Sequence, residues 1–180
     1  WGHDAFGATW STRFPEFRDG WNGSGLVLMR EPAQHLMSMY FYFHGKCHDW
    51  TELGALDIVG TCQVEMITRT GTGPCTCDKS RKPVDDAEVD LAIGLLRTQF
   101  AMVGLTEEWA LTVCLFHGIF GGEPSKSEFL LQRASTAVRK GRGHNASKID
   151  GLIPNTTMRL YEFGKRRFEY DLLRYGINAT

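Results

Sequence analysis

A guanidinium at Arg30 and a hydroxyl at Ser38 stand eight positions apart in the stretch GLVLMREPAQHLMSMYFYFHG, Gly25 to Gly45. A planar guanidinium forks onto two oxygens and a nearby hydroxyl supplies one more donor, so the pair suits a phosphate group. A second basic element, Arg139-Lys140-Gly141-Arg142-Gly143-His144, mixes cations with glycines. Its bland reading is a solvated loop. Its functional reading is a flexible clamp whose cations neutralise a phosphate while the glycines let backbone N–H groups approach it. Cys75-Thr76-Cys77 is not a zinc pair, because the two-residue spacer and a second pair of ligands are missing. No metal is expected.

These side chains need elements to hold them. The apolar run Leu26 to Met29 ends at Arg30-Glu31-Pro32, which predicts a buried strand followed by a helix with proline in its first turn. Arg30 then lies at the carboxyl end of a strand, where open α/β sheets bind ligands. Leu36, Tyr40 and Phe43 line one helix face, and Gln34 and Ser38 share another that points back toward Arg30. Further on, Asp85 and Glu88 resemble a capping box opening a helix from about Asp85 to Gln99, with Val89, Ala92, Leu96 and Phe100 as its apolar stripe. Ala101 to Val103 reads as a second buried strand ending at Gly104. Thr106 is placed to cap the next helix, with Glu107 and Glu108 in its first turn and Trp109, Val113, Phe116 and Phe120 facing inward. A last helix from Asn155 presents Met158, Tyr161, Phe168, Leu172 and Tyr175 and ends at Gly176. The two strands are continuously rather than alternately apolar. They are therefore expected to be parallel neighbours inside a three-layer α/β sheet with helices on both faces.

At 180 residues the chain fits one domain, 1–180, with an irregular Cys-, Gly- and Thr-rich insertion over 46–83. A net charge of −1 leaves no basic footprint for nucleic acid. No apolar run is long enough to span a membrane, so membrane attachment is expected only through a segment not present here. The chain opens on Trp1 and reads as a piece of a longer protein. Five cysteines leave at least one unpaired. Cys47, Cys62, Cys75 and Cys77 can form one or two disulfides in an oxidising compartment, and Cys114 falls in an apolar helix as a buried thiol. Four Asn-x-Ser/Thr sequons, at Asn22, Asn145, Asn155 and Asn178, agree with a secretory-pathway location.

REPAQHLMSMYFYF, Arg30 to Phe43, resembles the Arg-Asp/Glu-Pro…Ser motif of the Golgi-type carbohydrate sulfotransferases, and FAMVGLTEEWALTVCLF, Phe100 to Phe116, resembles that family's Phe-x-x-Val-Gly-Leu-Thr-Glu block. Thr68-Arg69 is a fainter match to its Gln-Thr-Arg segment. The resemblance covers most of the chain from Gly25 onward and implies a P-loop nucleotide-hydrolase-like fold, here a partial domain. It implies transfer of a sulfuryl group from 3′-phosphoadenosine-5′-phosphosulfate to a carbohydrate hydroxyl in the Golgi lumen. By the same resemblance Arg30, Ser38 and Arg139 would hold the donor's 3′-phosphate. His3 would be the catalytic base, because a Gly-His pair precedes the Arg-x-Pro motif in the members that modify uronic acids. The family's lysine-bearing phosphate loop has no counterpart in these residues, so the chain alone is expected to be a poor enzyme. The alternative is a noncatalytic module that binds sugars or a protein. A P-loop kinase relative would explain the sheet but not the spacing from Arg30 to Ser38.

Overall fold

Two parallel strands organise the part of the chain that a computed structural model describes, residues 25–43, 61–69, 82–130 and 153–177, with the side chains of 39–43 excepted. In chain order the elements are β1 (Gly25–Met29), α1 (Pro32–Phe43), α2 (Cys62–Thr68), α3 (Asp86–Thr98), β2 (Phe100–Leu105), α4 (Trp109–Phe120), a short 3₁₀ helix (Lys126–Phe129) and α5 (Asn155–Arg174). β1 and β2 pair in parallel from Leu26 opposite Met102 to Met29 opposite Leu105, with an irregularity between Gly25 and Leu26. Both strands thus lie where the apolar runs predict them, as parallel neighbours.

Successive side chains of a strand point to opposite faces, and this places the helices. A methyl group on Gly104 would meet the Thr112 side chain of α4 at 2.6 Å, whereas one on Gly164 of α5 would run into Met29 Sδ and meet Val103 Cγ1 at 3.6 Å. Val103 and Gly104 are adjacent in β2, so α5 covers one face and α4 the other. The core between them is Met29, Met102, Val103, Leu105, Leu115, Leu160 and Phe168, joined by Val89, Ala92 and Leu96 of α3. Burying a residue of this size contributes about 1.5–3 kcal/mol. The described part is mixed α/β with a two-stranded parallel sheet.

Local expectations needed correction in several places. Asp85 does cap α3, accepting from the Glu88 N–H at 2.9 Å, but Glu88 does not return the bond. Its carboxylate instead meets Arg69 and Thr68 of the neighbouring segment. Thr106 caps no helix: its N–H donates to the Met29 carbonyl at 2.9 Å as one more rung beyond β2, and α4 begins after Glu108. Phe116 and Phe120 are 39% and 45% exposed, and the buried residues of α4 are Thr112, Val113 and Leu115. The sequence WALTVCLFHGIF is apolar nearly all round, so periodicity does not choose a face. Thr112 chooses it, because its Oγ1 accepts from the Leu105 N–H at 3.0 Å and donates to the Leu105 carbonyl at 2.8 Å.

Leu26 is exposed, so β1 is not buried along its whole length. Cys114 is only half-buried and is a free thiol, whereas Cys62 is buried and disulfide-bonded. Within the stretch read as irregular, Cys62–Thr68 forms a helix whose Cys62, Gln63, Val64, Glu65 and Thr68 are buried. Just past α5, Tyr175 is exposed, and near the start of the helix Leu160, outside the expected apolar face, is buried. Gly176 does end the helix, with φ of 68°. Its N–H donates to the Leu173 carbonyl and that of Ile177 to Leu172, the paired bonds of a left-handed glycine cap.

Candidate functional site

The carboxyl ends of β1 and β2 bring the two sequence motifs together. After Met29 the chain passes through Arg30 into Glu31, whose carboxylate caps α1 by accepting from the N–H groups of Ala33 at 3.0 Å and Gln34 at 2.7 Å. Pro32 follows as the first helical residue, where its missing N–H costs nothing. After Leu105 the chain passes through Thr106 into Glu107. Its carboxylate accepts from the Glu31 N–H at 3.3 Å, the Thr106 hydroxyl at 3.2 Å and, in a short bond, the Tyr161 hydroxyl of α5. Glu107 therefore ties the turn after β1, the turn after β2 and α5 to one another.

Arg30 sits half-buried within this arrangement. Its carbonyl accepts from Gln63 Nε2 of α2 at 2.8 Å, which fixes the backbone. Burial lowers the guanidinium below its ordinary value, opposed by the charges of Glu107 and Glu31, and it remains a cation at neutral pH. Both carboxylates accept from the donors named above, and their charges also act on Arg30. The Arg30 N–H groups have no hydrogen bond among the described residues. At this end of the sheet Arg30 presents a half-buried set of guanidinium donors, a geometry that suits an anionic oxygen.

Ser38 is half-buried in α1, about 9 Å along the helix from Pro32 at 1.5 Å per residue. Its hydroxyl also has no partner among the described residues. Burial pushes the Tyr161 phenol well above its ordinary value, reinforced by its hydrogen bond to Glu107, so it stays a proton donor. His3 and Arg139 lie outside the described residues. No group of three or more potential metal ligands occurs among the described residues.

Arg69 is not aimed at this site. It forks onto Glu88 through Nε at 2.7 Å and Nη2 at 2.8 Å, donates to the Lys82 carbonyl at 2.9 Å and approaches Glu65 at 3.5 Å. Thr68 donates to Glu88 as well, at 2.7 Å. The Thr68-Arg69 pair clamps α2 to α3.

Glu31, Gln63, Glu107 and Tyr161 were not singled out as site residues from sequence. Glu107 read as a favourable charge in a helix's first turn, and Tyr161 as part of an apolar stripe. Their partners are 76 and 54 residues away along the chain, so no local pattern could pair them. Comparison of this chain with protein-family models, with curated proteins and with solved structures found no match.

Proposed function

We propose that this chain is part of a carbohydrate sulfotransferase and supplies the groups that hold the donor's 3′-phosphate. Arg30 and Ser38 hold the 3′-phosphate of 3′-phosphoadenosine-5′-phosphosulfate, and a sulfuryl group passes to a carbohydrate hydroxyl. The observation that carries the proposal is the half-buried Arg30 guanidinium at the carboxyl end of two parallel strands, which makes no hydrogen bond among the described residues. The bond from Glu31 to Glu107 supports it further, since it makes one unit of the two stretches that carry the family resemblance. The finer fold in this reading is a P-loop nucleotide-hydrolase-like sheet, and the location is the Golgi lumen, in keeping with the disulfide at Cys62. Arg139 is a third phosphate ligand and His3 the base that takes the acceptor proton.

The test is equilibrium binding of the desulfated nucleotide, 3′-phosphoadenosine-5′-phosphate, with adenosine 5′-phosphate as the control lacking the 3′-phosphate. A charge-assisted contact contributes about 1.5–3 kcal/mol, so Arg30→Ala is expected to weaken binding roughly tenfold or more. Ser38→Ala should cost less, about 0.5–1.5 kcal/mol. A folded Arg30→Ala variant with unchanged affinity, or equal affinity for the two nucleotides, overturns the assignment. Were neither nucleotide bound while the chain captured a polysaccharide, the noncatalytic module would be the right description.

A further inference from the structure

We propose that Asn155 carries an N-linked glycan, added before α5 folds. This rests on the lumenal location in the reading above, but not on the catalytic one. Asn155-Thr156-Thr157 is an acceptor sequon. Asn155 is exposed as the first residue of α5, and its side chain makes no hydrogen bond among the described residues. The helix start does not need that amide. Pro154 precedes it, and the Pro154 carbonyl already accepts from the N–H groups of Thr157 at 3.0 Å and Met158 at 3.2 Å. A bulky substituent on the Asn155 amide can therefore project into water without removing any capping bond or core contact.

The threonine of the same sequon behaves in the opposite way. Thr157 is only 3% exposed and lies in the first turn of the helix. Glycan transfer needs the asparagine amide and the threonine hydroxyl presented together on an accessible segment. The folded helix offers the first and hides the second. Modification must then come before the segment docks, as the chain enters the lumen. In the step itself, Asn155 Nδ2 forms a bond to the anomeric carbon of a lipid-diphosphate-linked oligosaccharide. The bond from that carbon to the diphosphate oxygen breaks, the lipid diphosphate leaves with the electron pair, and the amide nitrogen gives up one proton.

The position has a consequence for the molecule. Tyr161 reaches Glu107 beyond the carboxyl end of β2, while Arg167 reaches the carbonyls of Phe100 and Ala101 at its start. α5 therefore runs antiparallel to the strand. Asn155, six residues before Tyr161, lies about 9 Å further out along the helix axis. The glycan stands at the end of the sheet that carries Arg30, clear of both packed faces.

The experiment translates the full chain behind a cleavable secretion signal in the presence of endoplasmic-reticulum microsomes. The peptide containing residue 155 is then analysed before and after treatment with a peptide N-glycosidase. A glycosidase-sensitive glycan on that peptide is expected, and Asn155→Gln should remove one step of mobility shift. In a second arm, folded chain and denatured chain are each added to detergent-opened microsomes with the lipid-linked donor, and only the denatured chain should be modified at Asn155. An unmodified residue 155 in the translocated chain overturns the site. Equal modification of folded and denatured chains overturns the order of events. Because the signal is supplied, neither result depends on nucleotide binding, which tests the catalytic reading separately.

Discussion

Glu107 gathers hydrogen bonds from a backbone N–H, a threonine hydroxyl and a tyrosine hydroxyl, and each bond to a charged acceptor contributes about 1.5–3 kcal/mol. Tyr161→Phe removes one donor and keeps the ring in place. It is expected to lower the unfolding free energy by about that amount in urea titrations at pH 7. The pH dependence has a definite sign. The phenol's proton affinity is raised in the folded state, so its contribution is fully present below the ordinary value of 10.0 and is lost as pH rises through the raised one. Wild type and Tyr161→Phe should therefore converge in stability above pH 10. A gap that stays constant from pH 7 to 11 would contradict this account.

Glu88 gives the opposite sign. Its side-chain bond to Arg69 holds the carboxyl below its ordinary value of 4.5, with a second bond from Thr68 and against some desolvation. The stabilisation is present above 4.5 and is lost as pH falls through the depressed value. Glu88→Gln keeps the shape but not the charge, and should cost about 1–2 kcal/mol at neutral pH, the excess of a charge-assisted over a neutral hydrogen bond. Comparing unfolding of the two proteins at pH 7, 4 and 3 should show the difference shrinking toward acid. The importance of Glu88 was only half legible: its position three residues after Asp85 suggested a cap, and a guanidinium from outside the helix took the carboxylate instead.

At the scale of elements, the contact between β2 and α4 depends on Gly104. A Cβ there would sit 2.6 Å from Thr112 Cγ2 and 2.7 Å from Leu28 Cδ2. Thr112 cannot withdraw without giving up both of its bonds to Leu105. Gly104→Ala is therefore expected to destabilise the fold by about 1–3 kcal/mol, the usual range for overpacking. A paired Gly104→Ala, Thr112→Ser variant should recover part of the loss, because serine keeps the hydroxyl and removes the methyl. No recovery would mean that Leu28 is the obstacle. The capping of α1 by Glu31 and of α3 by Asp85 shows why those helix starts were readable, since each needs only neighbouring residues. The inward face of α4 was not readable, because it is set by a hydrogen bond across to the strand.

On the scale of the whole molecule, α5 is tied to α3 and β2 through the half-buried Arg167, which also pairs with Asp171 within the helix. Arg167 Nε donates to Asp171 at 2.7 Å, and its Nη atoms reach the carbonyls of Leu96, Phe100 and Ala101 at 3.3 to 3.4 Å. Asp171 is 1% exposed. Arg167→Met strands that carboxylate in the core and is expected to cost about 3–5 kcal/mol, whereas Arg167→Met with Asp171→Leu should be markedly less damaging. Thermal unfolding of the single and double variants checks this, with equal losses as the contrary result. By itself the sequence determined both strands, their parallel sense, the span of α3 and the glycine stop of α5, because strand hydrophobicity, helix caps and left-handed glycine act over a few residues. It also marked Arg30 and Ser38 as groups that suit a phosphate. The tertiary structure alone decided that Glu107 and Tyr161 belong beside Arg30, that Arg69 serves α3, and that Thr157 is hidden while Asn155 is not. Each of these depends on contacts between segments distant in the chain, whose pairing is fixed only when the core closes.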